Sequence, residues 1–540
     1  MYDSTQLKDV LLARDIWATK HYAIAMGGII GCFVVCHWLN ITYFKYGQRK
    51  SGPIVQSIWQ FQRMAQRFLN NVILSTRLYK FLIYLLYWTI NCILLLTNLT
   101  WEILIIGKRF GWITVANLTL VVFLSLRNTP LAPLSGNSYE KVRPLHKVAG
   151  YTTIFSALIH GLISVIAYHE HGHIDKFKHP ENVAGLIAGF CLLIMGISSM
   201  RWFVRRNYEA FYMIHVGFFM LVIIALGLHR TDFAESTIKI NIFIACLWFT
   251  DRLFRLAKTC WNFVGNYAIL TPMADGAVRV KLRRSLACHP GSHAFLWIPS
   301  IRLLETHPFT LISNSPSEFL IREYDGFTSS LFKAARENPG KAWRCSVDGG
   351  YGQVPDFKRF DRVVLVAGGS GATFTFSIAS SIVRERKARG TTVQIDFIWV
   401  VRYADCLNWF AEELKELRET PFVNLIIYVT RNNVISEDAS IPEMIEANGS
   451  ENIASSVIGD IEKGQKENDK EAFPAPEFRK GRPDIPYLLT ECLSRCSIED
   501  RVGVGACGPS DLLDYVREGV SRKAYDHGPS IAFHYEDFRW

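Results

Sequence analysis

The chain lacks the cysteine spacing by which many soluble metal sites can be recognised. Its twelve cysteines form no CxxC pair, so neither disulfides nor iron–sulfur clusters are expected. Cys32, Cys36, Cys92, Cys191 and Cys246 lie in apolar runs, where a cysteine behaves as a small hydrophobe. Cys492 and Cys496 give only a CxxxC with no histidine beside it, which is not read as a zinc site. The first twenty residues are mixed in charge and lack the basic start, short apolar core and small-residue cleavage site of a secretory leader. No stretch interleaves basic and aromatic residues, so the net charge of +10 does not point to nucleic acid as a partner.

What is present is a membrane half and a soluble half. Of the 540 residues 49% are hydrophobic, and the apolar runs crowd into the first half. Seven candidate spans fall at about 20–43, 80–99, 111–127, 145–168, 183–200, 208–228 and 237–257. Basic residues mark the cytosolic ends: Lys45 to Lys80 after the first span, Arg201, Arg205 and Arg206 after the fifth, Arg252, Arg255 and Lys258 after the seventh. This predicts an extracytosolic N-terminus over 1–19, a seven-helix bundle over 20–258, and everything later in the cytosol.

Two of these helices carry histidines at one offset, His146 and His160 in one, His215 and His229 in the other. Fourteen residues turn through about 1400°, roughly 40° short of four turns, so both members of a pair share a helix face. They are separated by about 21 Å along the axis, which suits two porphyrins stacked across a hydrocarbon core of roughly 30 Å. Four ionisable groups in register inside a membrane are read as a diheme site with His146 and His215 near the inner face. With both axial positions filled, such irons pass electrons and bind no substrate.

Beyond residue 258 the pattern changes to short β-branched runs broken by glycine, at 277–282 and 294–298, which predicts a small antiparallel barrel over 259–358. His307, Pro308, Phe309 and Thr310, with Ser313 shortly after, offer hydroxyls, amides and an aromatic edge suited to an isoalloxazine ring. Arg322, Gly326 and Thr328 could meet a pyrophosphate at a helix start. A glycine turn over 348–352, with Gly350 and Gly352, could let backbone approach a phosphate; either feature reads equally as a surface turn.

Residues 359–540 read as an α/β nucleotide domain. A strand at 362–367 runs into Gly368, Gly369, Gly371 and Thr373 and then a helix, the geometry that cradles a dinucleotide phosphate, although the spacing is not GxGxxG. Arg402 follows a strand at 393–401, where an arginine favours NADPH over NADH. A last strand at 502–505 delivers Cys507, Gly508 and Pro509, the thiol within reach of a nicotinamide. Residues 432 to about 484 are polar, acidic and poor in aromatics and read as a mobile insertion. The outer loop with His169, His171, His173 and His179 reads as solvated, with metal capture as the alternative.

The two His-x13-His pairs, His307-Pro-Phe-Thr310, Gly368-Gly-Ser-Gly371, Gly481-Arg-Pro483 and Cys507-Gly-Pro509, in that order, resemble the fungal ferric reductase branch of the family that includes the NADPH oxidases. The resemblance covers nearly the whole chain. It implies a multi-pass diheme membrane domain followed by a ferredoxin-reductase-like module, an FAD barrel and an NADPH domain. It implies that His146 pairs with His215 on one heme b and His160 with His229 on the other. Flavin would sit on 307–310, and NADPH around 368–373, Arg402, Arg482 and 507–509. The reacting rings would then meet His307, Thr310, Cys507 and Trp540, a terminal aromatic of the kind that covers the flavin in the family; its presence predicts a complete C-terminus. The chain departs from the fungal pattern in having no long extracellular N-terminal region and in its own insertion at 432–484.

The chemistry agrees. NADPH gives two electrons as hydride and a heme takes one, so a flavin must stand between them. The terminal acceptor expected is a chelated Fe³⁺, or Cu²⁺, at the outer heme, with Arg230 available to a propionate or an anionic chelate. Membrane lipid, ferric or cupric chelates, and an iron permease or multicopper oxidase are the expected partners, in the plasma membrane or an internal one such as the vacuole. An oxidase passing electrons to O₂ and a non-catalytic heme-binding sensor or structural protein remain the alternatives.

Overall fold

The computed structural model describes residues 4–46, 76–229, 235–389, 393–431, 478–497, 500–525 and 530–537. Each predicted span falls on a helix: α1 (Ser4–Tyr46), α2 (Thr76–Leu96), α3 (Ile103–Ser125), α4 (Tyr139–Glu170), α5 (Pro180–Ser198), α6 (Tyr208–Leu228) and α7 (Glu235–Phe263). Among the described residues five are long and apolar enough to cross a membrane: α1, over Asp9–Leu39, and α3 to α6. The apolar part of α2 is shorter, Lys80–Leu96, and α7 carries Lys239, Asp251, Arg252, Arg255 and Lys258. The count of seven therefore resolves into five strongly apolar helices and two weaker ones.

A second correction concerns the N-terminus. Residues 1–19 were expected to precede the bundle, yet α1 already runs from Ser4. Asp15 reaches Arg109 on α3 at 2.7 Å, with both side chains buried. Removing one partner of a buried pair leaves an uncompensated charge, at about 3–5 kcal/mol, so this contact fixes where α1 begins to pack.

Deeper in the bundle Asn117 is fully buried and fully bonded. Its Oδ1 accepts from the Tyr22 and Tyr87 hydroxyls at 2.7 and 2.6 Å. Its Nδ2 donates to Asn91 Oδ1 and Ile113 O at 2.7 and 3.0 Å. An unsatisfied polar group in hydrocarbon costs several kcal/mol, so this amide specifies the packing of α1, α2 and α3 together.

The soluble half begins directly after α7. Strands β1 (Tyr267–Met273), β2 (Ala277–Leu282), β3 (His293–Trp297), β4 (His307–Asn314), β5 (Ser317–Arg322), β6 (Ala342–Arg344) and β7 (Ser346–Tyr351) form one antiparallel sheet in the order β6-β1-β2-β5-β4-β3-β7. Inward-facing Leu270, Val280, Leu296, Leu311 and Phe319 fill its core, closed on one side by Phe327 and Leu331 of helix α8 (Phe327–Glu337).

The last domain is a parallel sheet of β8 (Arg362–Gly368), β9 (Gln394–Val401), β10 (Val423–Val429), β11 (Arg479–Lys480), β12 (Arg501–Cys507) and β13 (Ser530–Glu536), in the order β11-β10-β9-β8-β12-β13. Helix α9 (Ala372–Arg389) contributes Phe374, Phe376 and Ile382 to the core on one face. Leu513 and Val516 of α10 (Ser510–Tyr525) help fill the other. Near-continuous apolar runs such as Val363–Ala367 are what strands covered on both faces require. Of the expected insertion, 432–477 lies outside the described residues, whereas Arg479 and Lys480 pair with Tyr428 and Val429 and extend the sheet, correcting the insertion's far boundary.

The halves are clasped. Ser346 Oγ donates to Thr259 O at 2.6 Å, and Asn262 Nδ2 to Val347 O at 2.8 Å, tying α7 to the barrel. Arg279 on β2 bridges to Glu413 of the nucleotide domain at 2.7 Å, and this acidic surround, working against burial, raises the guanidinium's pKa.

Candidate functional site

The four membrane histidines come together in two pairs. The His146 and His215 ring centroids are 6.4 Å apart, and those of His160 and His229 6.3 Å. Each imidazole is aimed through Nδ1: His146 at Val121 O (2.9 Å), His160 at Gly107 O (2.8 Å), His229 at Glu181 O (2.7 Å) and His215 at Ser199 Oγ (3.3 Å). A histidine that ligates a metal is commonly held through its other ring nitrogen in this way. One sequence detail is corrected, since α6 ends at Leu228 and His229 is its C-cap residue.

The spacing can be tested against a metal between the rings. A metal–imidazole bond of about 2.0–2.1 Å, plus roughly 1.1 Å from nitrogen to the centre of a five-membered ring, places two trans centroids about 6.3 Å apart. Both pairs meet that distance. Small residues back the rings: a Cβ on Gly111 would come 3.1 Å from His160, and one on Gly185 2.7 Å from His229. Among the described residues no group of three or more metal-ligating side chains occurs, the His169–His179 loop included. A porphyrin supplies four donors itself, so a histidine pair is a donor set that fits one.

In the barrel, His307 opens β4 and stacks on Phe327, with centroids 4.9 Å apart, and Phe309 lies 6.2 Å from the same ring. The HPFT segment and the start of α8 thus form one surface. Thr310 on it is nearly buried, whereas Ser313 lies further along β4. Gly326 caps α8 at φ +70°, with no side chain bonding the first amides of the helix, as a pyrophosphate cradle needs. Arg322 ends β5 and is held by Asp275 at 2.9 Å. Thr328 Oγ1 accepts from the Tyr324 amide. The glycine turn expected over 348–352 is corrected: Gly350 lies inside β7, where a Cβ would meet Cys288 at 2.3 Å, so close strand packing explains it. Gly352 follows the strand at φ +100°, beside His293.

In the nucleotide domain the strand order reverses between β8 and β12, the point at which open α/β sheets bind ligands. Both glycine turns meet there. A Cβ on Gly371 would lie 2.5 Å from Cys507 O; one on Gly368 would lie 2.8 Å from Pro509; and one on Gly508 would lie 3.1 Å from Gly368. Gly369 takes φ +56° ahead of α9, which holds Thr373 in its first turn. Arg402 after β9 and Arg482 after β11 are both exposed at the carboxyl ends of the two strands that flank β10. Cys507 is buried, and burial with the nearby Glu536 and Asp537 charges pushes its thiol pKa well up. Trp540 and Arg230 lie outside the described residues.

Three family models match in chain order: the ferric reductase like transmembrane component over residues 110–226, the FAD-binding domain over 269–355 and the ferric reductase NAD binding domain over 360–521. The chain is similar to ferric reductases in its transmembrane and NAD-binding parts. It is 28% identical over 341 residues to "Probable cell surface ferric reductase kap2" of Aspergillus oryzae, covering 58% of this chain and 45% of that protein. It is 24% identical over 457 residues to "Ferric/cupric reductase transmembrane component 1" of Candida albicans, covering 81% and 57%. The chain thus spans about half the length of these relatives. The three matches combine a transmembrane component with FAD- and NAD-binding domains.

Sequence reasoning missed several groups of this fold. His293 on β3 approaches Glu140 at the start of α4, Nε2 to Oε1 at 2.7 Å. On β13, His534 and Glu536 approach within 2.8 Å. Burial lowers the His534 pKa; burial opposes ionisation of Glu536, but His534 outweighs it and holds the carboxyl below its usual value. None of these residues belongs to a motif, and only folding brings them together.

Proposed function

We propose that the chain is a transmembrane ferric-chelate reductase, carrying electrons from cytosolic NADPH through FAD and two hemes b to extracytosolic Fe³⁺, or Cu²⁺, in support of iron uptake. The observation that carries this reading is the pair of histidine couples at 6.4 and 6.3 Å, fourteen residues apart along the bundle.

His146 with His215, and His160 with His229, would each hold one heme through Nε2, their Nδ1 atoms being engaged elsewhere. Bound there, the hemes supply single-electron steps across the membrane. Thr310, Phe309 and His307 would seat the flavin ring, and the first turn of α8 its pyrophosphate. Gly368 to Gly371 would admit the nucleotide phosphates, with Cys507 to Pro509 as the floor of the nicotinamide pocket. Arg402 and Arg482 would meet the 2′-phosphate, which favours NADPH. The soluble domains would face the cytosol of a plasma-membrane protein, with reduced metal passing to a permease or a multicopper oxidase.

The test is anaerobic addition of NADPH to the detergent-purified protein while the heme bands are followed. Heme reduction, reversed by ferric citrate, is the expected result. Heme that is reoxidised only by oxygen would assign the oxidase activity instead, and protein without heme would overturn the reading.

A further inference from the structure

We propose that His293 and Glu140 form a proton-accepting pair at the junction of the membrane, barrel and nucleotide domains, draining the proton that NADPH oxidation leaves behind. The proposal rests on the electron path given above.

The balance of that path creates the need. NADPH plus two Fe³⁺ gives NADP⁺, two Fe²⁺ and one proton, since a hydride is a proton with two electrons. The electrons leave singly through bis-histidine irons that accept no proton. One proton per NADPH must therefore be shed on the side where the hydride arrives.

The position of the pair answers that need. His293 stands opposite Thr310 in the β3–β4 register, next to the surface on which the HPFT segment stacks. Glu140 lies six residues before His146 on α4, about 9 Å along the axis toward the inner heme. The His293 side chain is 2% exposed and that of Glu140 21%, while Nε2 and both carboxylate oxygens are themselves buried, so Nε2 and Oε1 at 2.7 Å hold a proton inside the junction, one side chain short of water. Imidazole nitrogen and carboxylate oxygen are both groups that can carry a transferred proton.

Docking alone does not call for such a pair. The barrel is already tied to α7 by Ser346, Asn262 and the Arg255–Asp348 contact at 3.3 Å, none of which involves an imidazole. The charges facing the pair come from every packed element. Tyr139 and Lys141 flank Glu140 on α4. Asp348 and Tyr351 face it from β7, with Arg127 at the end of α3 and Arg255 and Lys258 on α7 beyond them. From β13, Glu536 feels the charge of His293.

The experiment uses the full-length, heme- and FAD-loaded protein with Glu140→Gln and Glu140→Asp. In weak buffer with a pH dye, mixing with NADPH should release a proton together with heme reduction in the unaltered protein. Glu140→Gln should slow both by about tenfold or more, and Glu140→Asp should restore most of the rate. Independently of turnover, infrared difference spectra on dithionite reduction should show a protonated carboxyl band that is absent from Glu140→Gln. Unaltered rates in Glu140→Gln, or no such band in the unaltered protein, would overturn the proposal. Failure of NADPH to reduce heme in any form would instead defeat the electron path, leaving the infrared band to decide the pair.

Discussion

A methyl group built on Gly185 of α5 would stand 2.7 Å from the imidazole of His229. The ring also takes its orientation from Glu181 O, one turn earlier on the same helix. Helix α5 therefore sets His229 from two sides, by contact and by hydrogen bond.

Gly185→Ala should displace His229 and empty the heme site proposed at His160 and His229, at an overpacking cost of about 1–3 kcal/mol. Heme per protein, read from absorbance, should fall from two toward one. Gly189→Ala, one turn further along, has nothing within 4 Å and should leave the count unchanged.

Arg402→Ser should weaken discrimination between NADPH and NADH. Losing one charged hydrogen bond, worth about 1.5–3 kcal/mol, corresponds to roughly 10- to 150-fold in the ratio of kcat/KM for the two cofactors. Arg482→Ser should act in the same direction, because Gly481 is anchored to Val429 at the end of the neighbouring strand. An unchanged ratio in the double variant would remove both residues from the 2′-phosphate.

Much of this arrangement was legible in the sequence because it is local. The 3.6-residue period puts His146 and His160 on one face whatever surrounds them. The run at 362–367 ending in glycines became β8 and its turn. Gly350 was misread because a glycine needed for close strand packing against Cys288 looks, in sequence, like one needed for a turn. Asp15 was placed outside the bundle because its partner Arg109 lies 94 residues away, beyond any local pattern. His293 and Glu140 are farther apart still, and their contact depends on how the barrel docks on α4.

Alkaline pH should weaken the FAD- and NAD-binding half. Burial pushes the thiols of Cys288 and Cys406 up to about 11, and those of Cys345 and Cys492 up to about 12, from 9.0. Unfolded thiols then ionise first, so the native state keeps protons that the unfolded state has lost. Stability is intact below pH 9 and falls as pH rises toward 11–12. Flavin-fluorescence melting from pH 7.5 to 10.5 should show a steadily falling midpoint above about pH 9. Over the same scan, slow alkylation of these thiols at neutral pH should confirm that they remain protonated.

Gly371→Val should disable the nucleotide site without touching the hemes. Its Cβ would press on Cys507 O, a backbone atom that cannot swing away. The KM for NADPH should rise about tenfold or more, corresponding to 1–3 kcal/mol of overpacking, while heme content and dithionite reduction stay as before.

The most direct test of electron transfer across the membrane places the two substrates on opposite sides. Purified protein is reconstituted into sealed vesicles with ferric citrate and a ferrous-specific chromophore inside, and NADPH is added outside. NADPH-dependent colour inside the vesicles, abolished by His229→Ala, is the predicted result. NADPH oxidation with ferrous iron formed only on the outside, or colour unaffected by His229→Ala, would contradict the account.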